Sequence, residues 1–326
     1  YPESANLTTN LNWRKDKFNL FNTIGYRYRK SPGNGFFDNT YVDGAFDRIT
    51  EDRDIQRRNS GLNLNMGIEY FLSESSSVTA SAFGRINDGK DITDNNTTRF
   101  ISDGLDSRTL RTEEEVEDET SYQFSLNYNN DLDGDGQKLT ADLQYSFDEE
   151  IKPTTIIEEN TFPDSDIIAS EKINEIELQN EFLAQVDYVL PIGNAQFEAG
   201  YRGNWEQTDT DFALEELNTE SGEFVENLGL TNRFVFDQIV HAVYTQYGNK
   251  HGKFSYLMGL RLENTRLKGN VSGVDLETLQ DILGDEVDLN FDKNYLGLFP
   301  TINFTYEINK SENFTIGYNR RINRPR

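Results

Sequence analysis

The segment from Arg58 to Phe71, RNSGLNLNMGIEYF, alternates between apolar and polar residues with almost no break. Ser60, Leu62, Leu64, Met66, Ile68 and Tyr70 fall on one side of an extended chain. Asn59, Gly61, Asn63, Asn65, Gly67 and Glu69 fall on the other. A period of two is the mark of a strand with one apolar and one polar face. Such an apolar face must meet either a second sheet or lipid, and one strand alone does not choose between them.

The same unit recurs along the chain. Ala5, Leu7, Thr9, Leu11 and Trp13 turn through KDK into Phe18, Leu20, Ile24, Tyr26 and Tyr28. Segment 58–71 turns through SESSS into Val78, Ala80, Ala82 and Gly84. Tyr122, Phe124, Leu126 and Tyr128 turn through NNDLDGDGQK into Leu139, Ala141, Leu143, Tyr145 and Phe147. Ile176, Leu178, Phe182, Ala184, Val186 and Tyr188 turn through PIGN into Phe197, Ala199, Tyr201 and Trp205. Phe234, Phe236, Val240, Ala242 and Tyr244 are placed on one apolar face and turn through GNKHGK into Phe254, Tyr256, Met258, Leu260 and Leu262. Leu298, Ile302, Phe304, Tyr306 and Ile308 turn through NKSEN into Phe314, Ile316 and Tyr318.

This pattern predicts about twelve strands in six hairpins, separated by long loops over 29–56, 85–118, 148–175, 206–232 and 265–294. Structureless loops of that length count against a compact soluble domain. Short turns at one end and long loops at the other are the layout of an antiparallel up-and-down barrel in an outer membrane. A soluble sandwich or adhesin has no reason to sort its loops by end.

The charge agrees with that layout. The chain of 326 residues has a formal net charge of -26, and 40 of its 57 acidic residues lie in the five long segments. That places the charge in external water, away from lipid. Trp13, Tyr70, Tyr188 and Tyr306 lie beside short turns, and Tyr28, Tyr145 and Trp205 beside loops, as in the aromatic girdles of a barrel. Arg202, Arg261, Glu198, Glu263, Gln123 and Asn127 fall on the opposite face and suit a wet or plugged interior. Within the last long segment, VDLETLQDILGDE predicts a short helix between an Asp275 cap and Gly284.

Other classes find little support. Aromatic content of 12% argues against disorder despite a mean hydropathy of -0.71. No run approaches the roughly 18 apolar residues of a transmembrane helix. An acidic chain repels nucleic acid. Cysteine is absent, His241 and His251 are the only histidines, and no nucleophile elbow, zinc-protease motif or phosphate loop is present, so no enzyme is expected. His241 is placed on the polar side of its strand.

One turn has a metal-like spacing. In DLDGDGQK, Asp131, Asp133, Asp135 and Gly136 match the opening of a calcium loop. Its twelfth position is Asp142 rather than glutamate, inside a strand, and the alternative is an Asp-Gly hairpin turn. Calcium is the one cofactor this raises; none other is expected. The acid runs, TEEEVEDE at 112–119 among them, read as solvated faces or as sites for cationic ligands. YNRRINRPR gathers Arg320, Arg321, Arg324 and Arg326, with Arg321 expected to point inward.

That terminal stretch, with the hairpin LFPTINFTYEINKSENFTIGYNRRINRP, resembles the barrel of TonB-dependent receptor-like outer-membrane proteins. It is most similar to the outer membrane β-barrel family whose members carry carboxypeptidase-like regulatory and plug regions upstream. Arg320, Arg321, Arg324 and Pro325 match its Arg-Arg-x-x-Arg-Pro run. The resemblance implies a barrel of about 22 strands around a plug, in the outer membrane of a Gram-negative bacterium, contacting lipid and an inner-membrane TonB complex. Residues 1–326 are then expected to be one interior barrel portion, without plug or closing strands, that takes part in substrate uptake. The alternatives are a barrel that anchors surface loops or docks a lipoprotein partner, and a complete twelve-strand passive pore.

Overall fold

A computed structural model describes residues 2–284 and 288–322. Among them the chain forms one antiparallel sheet of 13 strands in which sequence neighbours are spatial neighbours. The strands are β1 (Glu3–Lys15), β2 (Phe18–Thr40), β3 (Arg48–Phe71), β4 (Ser76–Ile101), β5 (Gly104–Asp131), β6 (Lys138–Phe162), β7 (Asp166–Ile192), β8 (Ala195–Asn218), β9 (Glu223–Glu226), β10 (Asn232–His251), β11 (Phe254–Ser272), β12 (Asn290–Glu307) and β13 (Asn313–Asn319). The short β9 pairs only with β8, which pairs with β10 over the rest of its length. Helix α1 (Leu276–Leu283) lies where the sequence places it, capped by the Asp275 side chain on the Glu277 N–H and ended by Gly284 at a positive φ of 95°. With eight residues, it is too short to cross a membrane.

The short turns form as expected. Asp16, Gly193 and Gly252 adopt the left-handed backbone that two-residue hairpins require. The long segments do not. Most of 29–56, 85–118, 148–175 and 206–232 continues the strands, so that β4 has 26 residues and β5 has 28. Crossing a bilayer takes about 9–11 strand residues, so these hairpins run on well past any membrane. Hydropathy concealed this. Beyond lipid both faces of a strand meet water, and apolar–polar alternation vanishes while residues that favour strands persist, as in Thr97–Ile101 and Thr154–Ile157.

The apolar face is continuous across the sheet. Tyr26 pairs with Leu62 and Leu62 with Ile86; Phe124 pairs with Tyr145, Tyr145 with Phe182 and Phe182 with Trp205. Ring contacts reinforce it at Phe18–Tyr70 (4.9 Å) and Phe182–Trp205 (5.5 Å). On β10 the register corrects the sequence reading. Tyr201 and Leu262 pair with Val243, and Trp205 pairs with Ile239, so the odd residues of β10 face outward. Phe234, Phe236, Val240, Ala242 and Tyr244 therefore lie on the polar face, where Val240 and Ala242 are buried. His241, expected among polar residues, stands instead between Tyr201 and Trp205. Its Nδ1 is 2.8 Å from Tyr201 Oη, and its ring meets the Trp205 ring edge-on at 5.2 Å. Gly203 makes this possible, because a Cβ there would sit 2.5 Å from the Trp205 ring.

Beyond the apolar band, arginine–aspartate clamps tie neighbouring extensions on the same outward face. Arg48 Nε and Nη2 donate to Asp38 Oδ1 and Oδ2 at 2.8 and 2.7 Å. Arg266 does the same to Asp292 at 3.0 and 2.6 Å. Arg233 grips both oxygens of Asp209. The hydrogen bonds from these arginines hold Asp38, Asp209 and Asp292 below the usual carboxylate range.

Two outcomes follow. Met66→Arg, in the middle of the apolar face of β3, is expected to cost about 2–4 kcal/mol in a bilayer, while Asn65→Arg on the opposite face costs little; folding titrations in lipid vesicles measure both. For the clamps, a carboxylate whose pKa is lowered on folding adds stability that is complete above the unfolded value of 3.8 and is lost as pH falls through the folded one. Hydrogen-exchange protection in the extensions, taken relative to the intrinsic exchange rate at each pH, is therefore expected to fall below about pH 4, ahead of the membrane-spanning segments.

Candidate functional site

The polar face of β7, β8, β10 and β11 carries a hydrogen-bonded wall directly behind the apolar band. Each strand contributes alternate residues, so the wall follows from the same period that makes the outward face apolar. On β7, Gln185 Nε2 donates to Asp187 Oδ2 at 2.6 Å, and Tyr244 of β10 donates its hydroxyl to Asp187 Oδ1. Arg202 of β8 reaches Gln185 Oε1 at 3.5 Å. The Tyr244 ring lies against Gly200, where a Cβ would meet it at 2.5 Å. Arg261 of β11 stands 5.7 Å from the Tyr244 ring centroid, within cation–π range.

Arg261 also anchors the most buried acid of the wall. Its Nε and Nη2 donate to Glu263 Oε2 at 2.9 and 2.7 Å, and the Thr265 hydroxyl reaches Glu263 Oε1 at 3.3 Å. The Glu263 side chain is only 3% exposed and Thr265 is fully buried. Burying a carboxylate is costly unless it is paired and hydrogen-bonded, and here both conditions are met. A second tier joins Gln179 and Gln238 to Glu206 at 2.9 and 3.0 Å. A third joins Gln246 and Gln196 to Glu198 at 3.2 and 2.6 Å. Asn127 donates to Asp142 at 2.6 Å further along the same face.

Arg202, Arg261, Glu198, Glu263, Gln123 and Asn127 thus occupy the polar face that the sequence assigned to them, and Tyr244, Asp187 and Gln185 join them. Tyr244 was missed because β10 is apolar on both sides, and only its pairing fixes which side is which. Just past the band, Lys152 donates to Glu150 at 2.7 Å. Glu117 beside them is held above the usual carboxylate range, first by burial and then by the Glu150 charge.

The remaining candidates are placed separately. Asp131 ends β5, and Asp133 and Asp135 lie in the 132–137 turn. Asp133 Oδ1 is occupied by the backbone N–H groups of Asp135 and Gln137 at 2.9 and 3.0 Å, the bonding of an Asp-initiated turn. Among the described residues no three His, Cys, Asp or Glu side chains come together to hold a metal ion. Asp133 thus bonds the turn's own backbone through Oδ1, and Asp142 bonds Asn127 on the strand. His251 closes β10 at its short turn. At the C-terminal side, β13 ends at Asn319, so Arg321 is not on a strand; Arg320 instead lies 5.9 Å from the Phe299 ring centroid, and Arg324, Pro325 and Arg326 fall outside the described residues.

A sequence profile for the outer membrane protein beta-barrel family matches residues 130–326. No curated protein sequence matches the chain. Among solved structures it is similar to the ferric citrate transporter FecA in its unliganded form, at 12% identity and a TM-score of 0.47, over 96% of this chain and 43% of that one. It is also similar to the translocator domain of the autotransporter NalP from Neisseria meningitidis, at 11% identity and a TM-score of 0.28, over 94% of this chain and 82% of that one. BauA, the ferric preacinetobactin receptor from Acinetobacter baumannii, shows 7% identity and a TM-score of 0.28, over 98% of this chain and 67% of that one. The chain thus spans less than half the length of the FecA chain.

Replacing Arg261 with Met removes both guanidinium bonds from the buried Glu263. The expected loss is about 2–3 kcal/mol of folding stability, read from denaturant unfolding in lipid. Adding Glu263→Gln to that variant is expected to restore part of it, since the neutral amide is cheaper to bury.

Proposed function

The chain belongs to the outer membrane protein beta-barrel family, and on that premise we propose that it walls a barrel that takes up a solute across the outer membrane, as a TonB-dependent receptor does. The observation that carries this reading is the hydrogen-bonded polar wall behind the apolar band. It lines a hydrated or plug-filled interior with groups such as Arg202, Tyr244 and Arg261 rather than with apolar side chains. In the described residues β1 and β13 each pair on one side only. Unpaired backbone in a bilayer is costly, and this reading assigns those edges to further strands of a larger barrel. Uptake would be energised through the inner-membrane TonB complex, and no bond in the solute is made or broken.

A second reading rests on the strand extensions. Clamped hairpins that stand far beyond the membrane also suit a barrel whose work is to dock a lipoprotein partner at the cell surface.

Deleting the protein from its host and, separately, disabling the TonB complex tests the first reading. Uptake assays over a panel of solutes are expected to lose the same solute in both strains. Normal uptake of every solute in the deletion strain, or uptake through the protein that survives loss of TonB, overturns it. Conductance without energy input would identify a passive pore.

A further inference from the structure

The polar face of the extensions has a differently built patch, on β2 to β5, beyond the apolar band. Cross-strand pairing sets Gly35, Arg53, Asn95 and Arg111 in one row and Gly33, Ile55, Thr93 and Glu113 in the next. Ser31, Arg57, Asp91 and Glu115 form the third. A hollow of about 300 Å³ opens over these rows, with Arg53, Arg57, Asn95, Arg111 and Glu113 in its lining, and Gly33 and Gly35 pair with Ile55 and Arg53 at its β2 side. That volume is at the lower end for small-molecule sites. Adjacent strands are about 4.8 Å apart, so Arg53 and Arg111 face each other across Asn95 at about twice that spacing.

The pairing of these arginines differs from that of the outward clamps. Arg48, Arg233 and Arg266 each place two nitrogens on two aspartate oxygens. In the hollow the contacts are single and long: Arg53 to Glu51 at 3.4 Å, Arg57 to Asp91 at 3.3 Å and Arg111 to Glu113 at 3.6 Å. A guanidinium has five N–H donors in a fork that matches a carboxylate, and most of them are unused here by the described residues. Arg53 Nε and Asn95 Oδ1, one donor and one acceptor in the same row, are buried without a hydrogen-bond partner. Buried polar groups are nearly always satisfied, and this row holds two that the described residues leave unpartnered. The Arg53 guanidinium is steered by the Phe37 ring, 5.5 Å from its centroid.

Acceptors are present as well. Glu113 lines the hollow beside Arg111, and Glu51 and Asp91 border it, so a bare anion would meet repulsion along with attraction. A ligand that offers an acid to the guanidinium groups and a hydrogen-bond donor to the carboxylates offsets that repulsion with a second set of contacts.

We infer that this hollow binds a small carboxylate-bearing solute with a hydroxyl or amino group beside its acid. The site faces the side that the barrel's interior shares, so a solute entering from the external end reaches it without contacting lipid. The inference stands on these rows alone and holds whether or not the barrel imports what it binds.

The test is calorimetric titration of the full-length protein, purified from outer membranes in detergent. The probes are glucuronate, which carries hydroxyls, and glutamate, which carries an amine; acetate and glucose are controls that each hold half of the chemistry. Saturable binding of glucuronate or glutamate is expected, at least about tenfold tighter than either control, as loss of one charge-assisted contact implies. Arg53→Lys and Arg111→Gln are each expected to weaken binding about tenfold or more, while Arg266→Gln on the outward face leaves it unchanged. Arg53→Lys keeps the charge and removes the fork, which separates recognition from simple loss of folding. Absence of saturable binding by both probes, binding of acetate or glucose equal to theirs, or variants that bind as the parent does would overturn the inference.

Discussion

Every feature of this chain depends on the backbone hydrogen bonds between neighbouring antiparallel strands. Within a bilayer no water is available to an N–H or a carbonyl, so a strand is admissible only when its ladder is complete. That requirement makes each strand lean on the next from β1 to β13. It leaves side chains as the only variable, and they alternate. Leu62, Leu64 and Met66 go to one face because Asn63 and Asn65 go to the other, and the pleat allows no third choice.

From this alternation come two surfaces with different rules. On the outward face, contacts are apolar and aromatic, and rings cluster where the apolar band ends, as Tyr201, His241 and Trp205 do around Gly203. On the inward face, polar groups are removed from lipid and must satisfy one another. Glu263 illustrates the demand: at 3% exposure it is held by Arg261 and Thr265 together. Beyond the band the demand relaxes, and side-chain pairing there divides into the tight Arg–Asp clamps on one face and the loosely engaged arginines of the β2–β5 hollow on the other.

The twelve principal strands, the short turns, the Asp275-capped helix and the polar positions of Arg202, Arg261, Glu198 and Glu263 were all legible in the order of residues. The extent of the strands was not. Hydropathy reports a strand only while its two faces see different solvents, and 85–118 sees water on both. The face of Tyr244 and of His241 was hidden for a related reason: β10 carries Phe236, Val240 and Ala242 on one side and Val235, Ile239 and Val243 on the other. In the DLDGDGQK turn the aspartates have the spacing of a calcium loop, and the bond from the turn's own backbone to Asp133 Oδ1 is visible only in the structure.

By itself, then, the sequence determined the architecture, because a period of two and the sorting of turns from long acidic segments are properties of a single strand or hairpin and need no partner to be read. What only the tertiary structure decided were the register of β10, the reach of the hairpins beyond the membrane, and the meeting of Asp187 with Tyr244 and of Arg53 with Asn95 and Arg111. These are properties of pairs and rows of strands. A chain can show which residues share a side, but the alignment of one strand against the next settles which of them share a row.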